Sequence, residues 1–249
     1  MNIMAMKGIW KKEWLMMRGY YLTAMTFNIL WLVFAPTIMG NSPYLSTPTA
    51  LILIHLFYMS GLLIYSFNRE ADHMEQTLHS PLSGYHIAGV KIFQSFIFFT
   101  ASLLLVILVG MVSARYETIL TLPQIFTAFS QLALFVIGIA ISLAIILFFL
   151  WSLHQVMKKY IGGFSVVICI VLFFCIAAFL TWIQDTAFYQ ALLSVGPVFF
   201  DQEISTTQGN ISFDIGTGPI TLGKVFFFFM LNALLILSGM TIFDRKVEV

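Results

Sequence analysis

Six stretches of this chain run for about twenty residues without a single Asp, Glu, Lys or Arg. They are Tyr20–Met39, Thr49–Phe67, Ile92–Val112, Ala128–Trp151, Ile161–Ile183 and Val225–Phe243. A hydrocarbon layer about 30 Å thick is crossed by about 20 apolar residues in a helix. Backbone polar groups in lipid must bond within their own segment, so such runs fold as helices. A soluble domain has about 25% charged residues; this chain has 9%, with 60% hydrophobic residues, so no soluble fold can hide its apolar surface. The sequence therefore predicts an all-α integral membrane protein with six transmembrane helices.

The basic residues set the orientation. With the N-terminus in the cytosol, Lys7, Lys11, Lys12, Arg18, Arg69, Lys91, Lys158, Lys159, Arg245 and Lys246 fall inside, and Arg115 and Lys224 outside. Ten against two satisfies the positive-inside rule and predicts that both termini are cytosolic. The basic, Trp-containing start runs straight into an apolar stretch with no small-residue cleavage site, unlike a cleavable signal.

Residues 1–19 are predicted to form an amphipathic interfacial helix. At 100° per residue, Ile3, Met6, Trp10, Trp14 and Met17 share a face, edged by Lys7, Lys11 and Arg18. Trp and basic residues so arranged suit the headgroup layer of the inner leaflet. A plain juxtamembrane basic anchor fits the pattern equally. On the outer side, residues 184–224 form the one long connection. "AFYQALLSVGPVFF" is apolar but too short to span and is broken at Gly196-Pro197, which suggests a re-entrant or interfacial element. Ile211, Phe213 and Ile215 alternate between glycines, suggesting a hairpin.

Several motifs carry little. "GPITLGKV" follows the phosphate-loop spacing but places Val225 where the metal-binding hydroxyl belongs, and it lies on the outer side. Asn210 begins a glycosylation triplet. His73, His79 and His86 share the inner loop without a helical face in common, and a structural metal site takes four ligands. Cys169 and Cys175 lie in one apolar run and read as small hydrophobes. No metal or cofactor is expected in the chain, no nucleic-acid partner, and no enzyme active site. Asn28, His55, Gln94, Gln131 and Asn232 are the polar residues within the runs, and such groups face other helices or a wet cavity. The absence of charges in the runs argues against a proton- or sodium-driven carrier.

The inner loop, residues 68–91, is the informative connection. Ala71, Met74 and Leu78 form an apolar stripe on a short helix otherwise covered by Glu70, Asp72, His73, Glu75 and Gln76. Ser80-Pro81 ends that helix, and Ser83 stands ready to cap another that enters the third run. A short helix with such a stripe suits docking into a groove on a cytosolic partner; the plainer alternative is a loop resting on headgroups.

This stretch, "EADHMEQTLHSPLSGYHIAGVKI", resembles the inner loop of the ABC-2 type permeases, the membrane subunits of one class of bacterial ATP-binding-cassette exporters. Glu75, Leu78, Ser80, Pro81, Ser83, Gly89 and Lys91 stand at the matching positions. The opening "KKEWLMMRGYY" is similar to the family's Lys-Glu…Arg pattern, carried by Lys12, Glu13 and Arg18. Gly84-Tyr85-His86 follow where the family often carries a basic residue. The resemblance covers essentially the whole chain, 1–249, as one transmembrane domain. It implies a multi-pass permease of the bacterial plasma membrane that pairs with a second permease copy or a similar permease. Two cytosolic ATPase subunits would bind ATP and Mg. It further implies an ATPase-coupling role for Glu70, Asp72, Glu75, Leu78, Pro81 and Ser83. Trp10, Lys12, Glu13, Trp14 and Arg18 would form the interfacial helix, and Asn28 and His55 are the candidate lining of a pathway for a hydrophobic or amphipathic cargo. A non-pumping sensory or immunity subunit that binds an outer ligand through its cap is the rival expectation.

Overall fold

The computed structural model describes residues 3–38, 43–71, 83–117, 121–193, 195–196, 204–208, 211–215 and 221–247. Seven described helices follow in order: α1 (Ile3–Ile38), α2 (Pro43–Ala71), α3 (Gly84–Glu117), α4 (Leu122–Ile161), α5 (Phe164–Gln184), the short α6 (Ala187–Leu193) and α7 (Leu222–Val247). Between α6 and α7, β1 (Ile204–Gln208) pairs antiparallel with β2 (Ile211–Ile215), Thr206 opposite Phe213. The second strand carries the alternating Ile211, Phe213 and Ile215.

Five helices, α2 to α5 and α7, are long and apolar enough to cross a membrane. Four of them, α2, α3, α4 and α7, overrun their charge-free stretches at both ends. α3 has 34 residues and α4 has 40, so at 1.5 Å per residue they extend about 51 and 60 Å, well beyond a hydrocarbon layer of about 30 Å. Helical hydrogen bonding thus continues past the charge-free stretches at both ends of α3 and α4.

The first helix departs from expectation. The interfacial segment and the first apolar run are not separate elements but one 36-residue helix, Ile3–Ile38. The junction Arg18-Gly19-Tyr20 contains only one helix-weakening residue. A mid-helix glycine costs about 1 kcal/mol, less than leaving backbone groups unbonded at the edge of a membrane. The loop helix also differs, because Asn68, Arg69 and Glu70 belong to the last turn of α2. Asp72, Glu75, Leu78 and Pro81 lie outside the described residues.

The core lies among α2, α3, α4 and α7, around Leu51, Met59, Phe67, Phe99, Leu103, Val136, Ala140 and Phe148. Near the last turn of α2, Phe67 packs against Phe148 and Trp151 of α4 and Phe243 of α7, with ring centroids 5.0, 4.8 and 5.7 Å away. Close helix approach depends on glycine at Gly239, where an added Cβ would come within 3.0 Å of the Phe148 ring and 3.3 Å of the Phe149 backbone. Gly162, with φ 57°, turns the chain from α4 into α5, and its N–H returns to the Lys158 carbonyl at 3.1 Å. α5 then runs almost bare, with Ser165 its one buried residue. After α5 the short α6 folds onto α7. Tyr189 packs against Phe227, burial pushes its phenol pKa up, and the carbonyl of Gly196 (φ 59°) accepts from the Leu222 N–H at 3.0 Å.

Candidate functional site

Two polar junctions cross-link α1, α2 and α3, and both contain residues singled out by the sequence. The first junction, the inner one if the N-terminus is cytosolic, centres on Lys91 near the start of α3, whose side chain is fully buried. Its ammonium donates to Glu13 Oε1 of α1 at 2.5 Å and to Ser66 Oγ of α2 at 2.8 Å, and lies 3.4 Å from Glu70 Oε2. Ser66 Oγ donates in turn to Glu13 Oε2 at 2.9 Å. Lys12 closes the group from the solvent side by donating to Glu70 Oε1 at 3.0 Å. Two carboxylates face two ammoniums, so the buried charge is balanced. Balance is what makes the burial tolerable, because an unpaired buried ion costs several kcal/mol.

Glu13 and Lys91 carry the two halves of the sequence resemblance, one in the opening segment and one in the loop. The structure brings them together, which no local pattern announced. A signal was present nonetheless. Glu13 is the one acidic residue on an otherwise cationic helix, and a carboxylate so placed needs a cation from elsewhere. Glu70, expected to face a partner protein, has its carboxylate turned inward between Lys12 and Lys91. Trp10 and Trp14 lie beside α3, Trp10 at 5.8 Å from Phe93 and Trp14 stacked at 5.2 Å on Phe98, while both keep an exposed edge. Arg18 is exposed.

The same end of the bundle holds both sides of the loop. At its entrance, Trp151 Nε1 donates to Asn68 Oδ1 at 2.7 Å. At its exit, the Gly84 N–H that opens α3 donates to Asp244 Oδ1 of α7 at 2.7 Å, and the Tyr85 hydroxyl pairs with Thr241 at 3.0 Å. Gly84 permits that approach, since a Cβ there would sit 2.9 Å from the Asp244 carboxylate. Ser83 stands just before the helix as expected. Its carbonyl accepts from the His86 N–H at 3.0 Å, and its hydroxyl meets His86 Nδ1 at 2.8 Å. Asp244 was not foreseen; an acid near the end of the last apolar run reads as a simple flank.

The second junction lies deeper in the bundle. Asn28 Nδ2 donates to Ser102 Oγ at 2.7 Å, and His55 Nε2 meets the same oxygen at 2.8 Å. His55 Nδ1 is 2.7 Å from the Leu51 carbonyl. A carbonyl only accepts, so Nδ1 carries the hydrogen and Nε2 of the neutral ring accepts from the Ser102 hydroxyl. Both candidate pathway residues are therefore assembled around a serine that the sequence did not single out. They are buried, Asn28 at 4% exposure and His55 at 0%, and through Ser102 they join α1, α2 and α3. Behind the Ser–His contact stands no carboxylate among the described residues, because His55 Nδ1 bonds the Leu51 carbonyl. Ser102 lies within α3, where backbone N–H groups are engaged in the helix and cannot stabilise an oxyanion, and the Asn28 amide already occupies its oxygen.

Further polar residues complete the picture. Asn232 of α7 donates to Ser142 of α4 at 2.9 Å. Gln94 and Gln131, both buried, find no hydrogen-bond partner among the described residues. The phosphate-loop look-alike places Gly223 against the Leu192 backbone, with no room for a Cβ between them. Gly218, His73, His79 and Asn210 lie outside the described residues. Among the described residues no cluster of three or more His, Cys, Asp or Glu is placed to hold a metal. Comparison with protein families, curated proteins and solved structures gives no match for this chain.

Proposed function

We propose that this chain is the permease subunit of an ATP-driven exporter of the bacterial plasma membrane. In this reading α1 supplies the sixth span, both termini are cytosolic, and two permease copies or similar permeases enclose a pathway for a hydrophobic or amphipathic cargo. Two separate ATPase subunits, carrying ATP and Mg, engage the inner loop through Glu75 and Leu78. The observation that carries the reading is the buried Glu13–Lys91–Glu70 group. It joins the residues bearing the family resemblance, and it ties the loop's two flanking helices to α1. Force applied at the loop would reach α1 through those ion pairs, α4 through Asn68–Trp151, and α7 through Gly84–Asp244. Transport then requires two arrangements of the helices with comparable free energies, biased by nucleotide on the partner.

The test is affinity purification of the full chain from its native membranes. An ATPase subunit should co-purify in equal number, and Leu78→Asp should release it while the chain still inserts. A chain that purifies without any ATPase, or that transports cargo uphill alone in vesicles, contradicts the proposal. A ligand-binding immunity subunit is the second reading, supported by the outer elements α6, β1 and β2; it predicts outer-ligand binding with no partner-dependent flux.

A further inference from the structure

We propose that the exposed side of α1 is a binding site for an acidic phospholipid of the cytosolic leaflet. Lys7, Lys11, Trp14 and Arg18 follow i, i+4, i+7, i+11 spacing and are all exposed. That spacing places them within about 60° of one another around the helix and along about 16 Å of it. The inner junction makes this line purely cationic. Glu13, the only carboxylate on α1, is turned inward to Lys91, and Lys12 is held by Glu70. Among the described residues Lys7, Lys11 and Arg18 form no ion pair with a carboxylate.

The same side of the helix changes character above Arg18. It continues through Leu22, Ile29 and Val33, with 66%, 47% and 60% of their surface exposed. Cations, an indole and then aliphatic side chains follow the profile of a phospholipid from headgroup to acyl chain. An acidic protein surface would match the cations and leave the aliphatic half uncovered. Depth agrees as well. The inner junction lies where the apolar run of α2 ends at Phe67 and that of α3 begins at Ile92, which places the hydrocarbon border beside it. Relative to Glu13, Arg18 is about 7 Å toward the membrane, while Lys11 and Lys7 are about 3 and 9 Å away from it along the axis. Long basic side chains bend toward headgroups from either direction, so all three cations converge on one layer. The site draws on the cytosolic orientation proposed above and makes no use of the ATPase.

Native mass spectrometry of the purified full chain tests this, with phosphatidylglycerol and phosphatidylcholine of the same acyl chains titrated in neutral detergent. The chain should prefer phosphatidylglycerol. Lys7→Gln, Lys11→Gln or Arg18→Gln should each weaken that binding by about fivefold, the contribution of one basic residue near an anionic surface. Binding of phosphatidylcholine should not change. Lys7→Arg with Lys11→Arg should keep the preference, and so should Lys158→Gln with Lys159→Gln, a basic pair at the end of α4. Equal affinity for the two lipids, or an unchanged preference after all three glutamine substitutions, overturns the site. So does a triple variant that keeps its lipid preference while losing a co-purifying acidic protein.

Discussion

Around Lys91 the helices α1, α2 and α3 are fastened by charges; about 16 Å further along α3 the same three helices are fastened by an amide, a hydroxyl and an imidazole. Depth explains the change of chemistry. At the rim of the ionic group Lys12 keeps 48% of its side chain exposed, so part of the group can stay hydrated. Deep in the bundle Ser102 and His55 have no exposed surface, and a charge there would meet the full cost of burial. The ionic junction is therefore strong but intolerant of losing one member. The neutral junction is weaker and degrades gradually.

Substitutions separate the two, beginning with the most damaging. Lys91→Met leaves Glu13 and Glu70 buried without their shared cation and should destabilise the fold by about 3–5 kcal/mol, read from reversible unfolding in mixed micelles. If depth sets the chemistry, no single change in the neutral junction should approach that figure. Ser102→Ala removes the hub of Asn28 and His55 and should cost about 1–2 kcal/mol, since interhelical hydrogen bonds in membranes are worth about 0.6 each and at most about 1.7 kcal/mol. A loss as large as that of Lys91→Met would erase the distinction. Lys12→Gln touches only the solvated rim of the ionic group and should cost less than about 1 kcal/mol, as exposed ion pairs do. A larger loss would show that the rim is as critical as the centre.

The membrane class and the places of the helices were legible because charge-free runs of that length have few other fates. Asn28 and His55 stood out as polar residues in apolar surroundings, and the structure unites them. Ser102 did not, since a serine in an apolar helix commonly bonds its own backbone, as Ser113 does with Val109. The Glu13–Lys91 pair was hidden by distance, with 78 positions between its partners. Periodicity reports the face on which a residue lies, not the helix that meets it. The continuity of α1 was missed for a different reason. A change from basic to apolar composition marks a change of solvent, and a helix can pass through such a change unbroken.

Glu13 and Lys91 form one ionic unit that joins α1 to the helices flanking the loop. A double-mutant cycle tests it directly, with Glu13→Gln, Lys91→Met and the double substitution compared by unfolding free energy. The expected coupling is about 2 kcal/mol or more, with the double variant more stable than the sum of the single losses predicts, because it leaves fewer unpaired buried charges. Additive losses, within about 0.5 kcal/mol, would show that the two residues act independently and that no ionic frame exists.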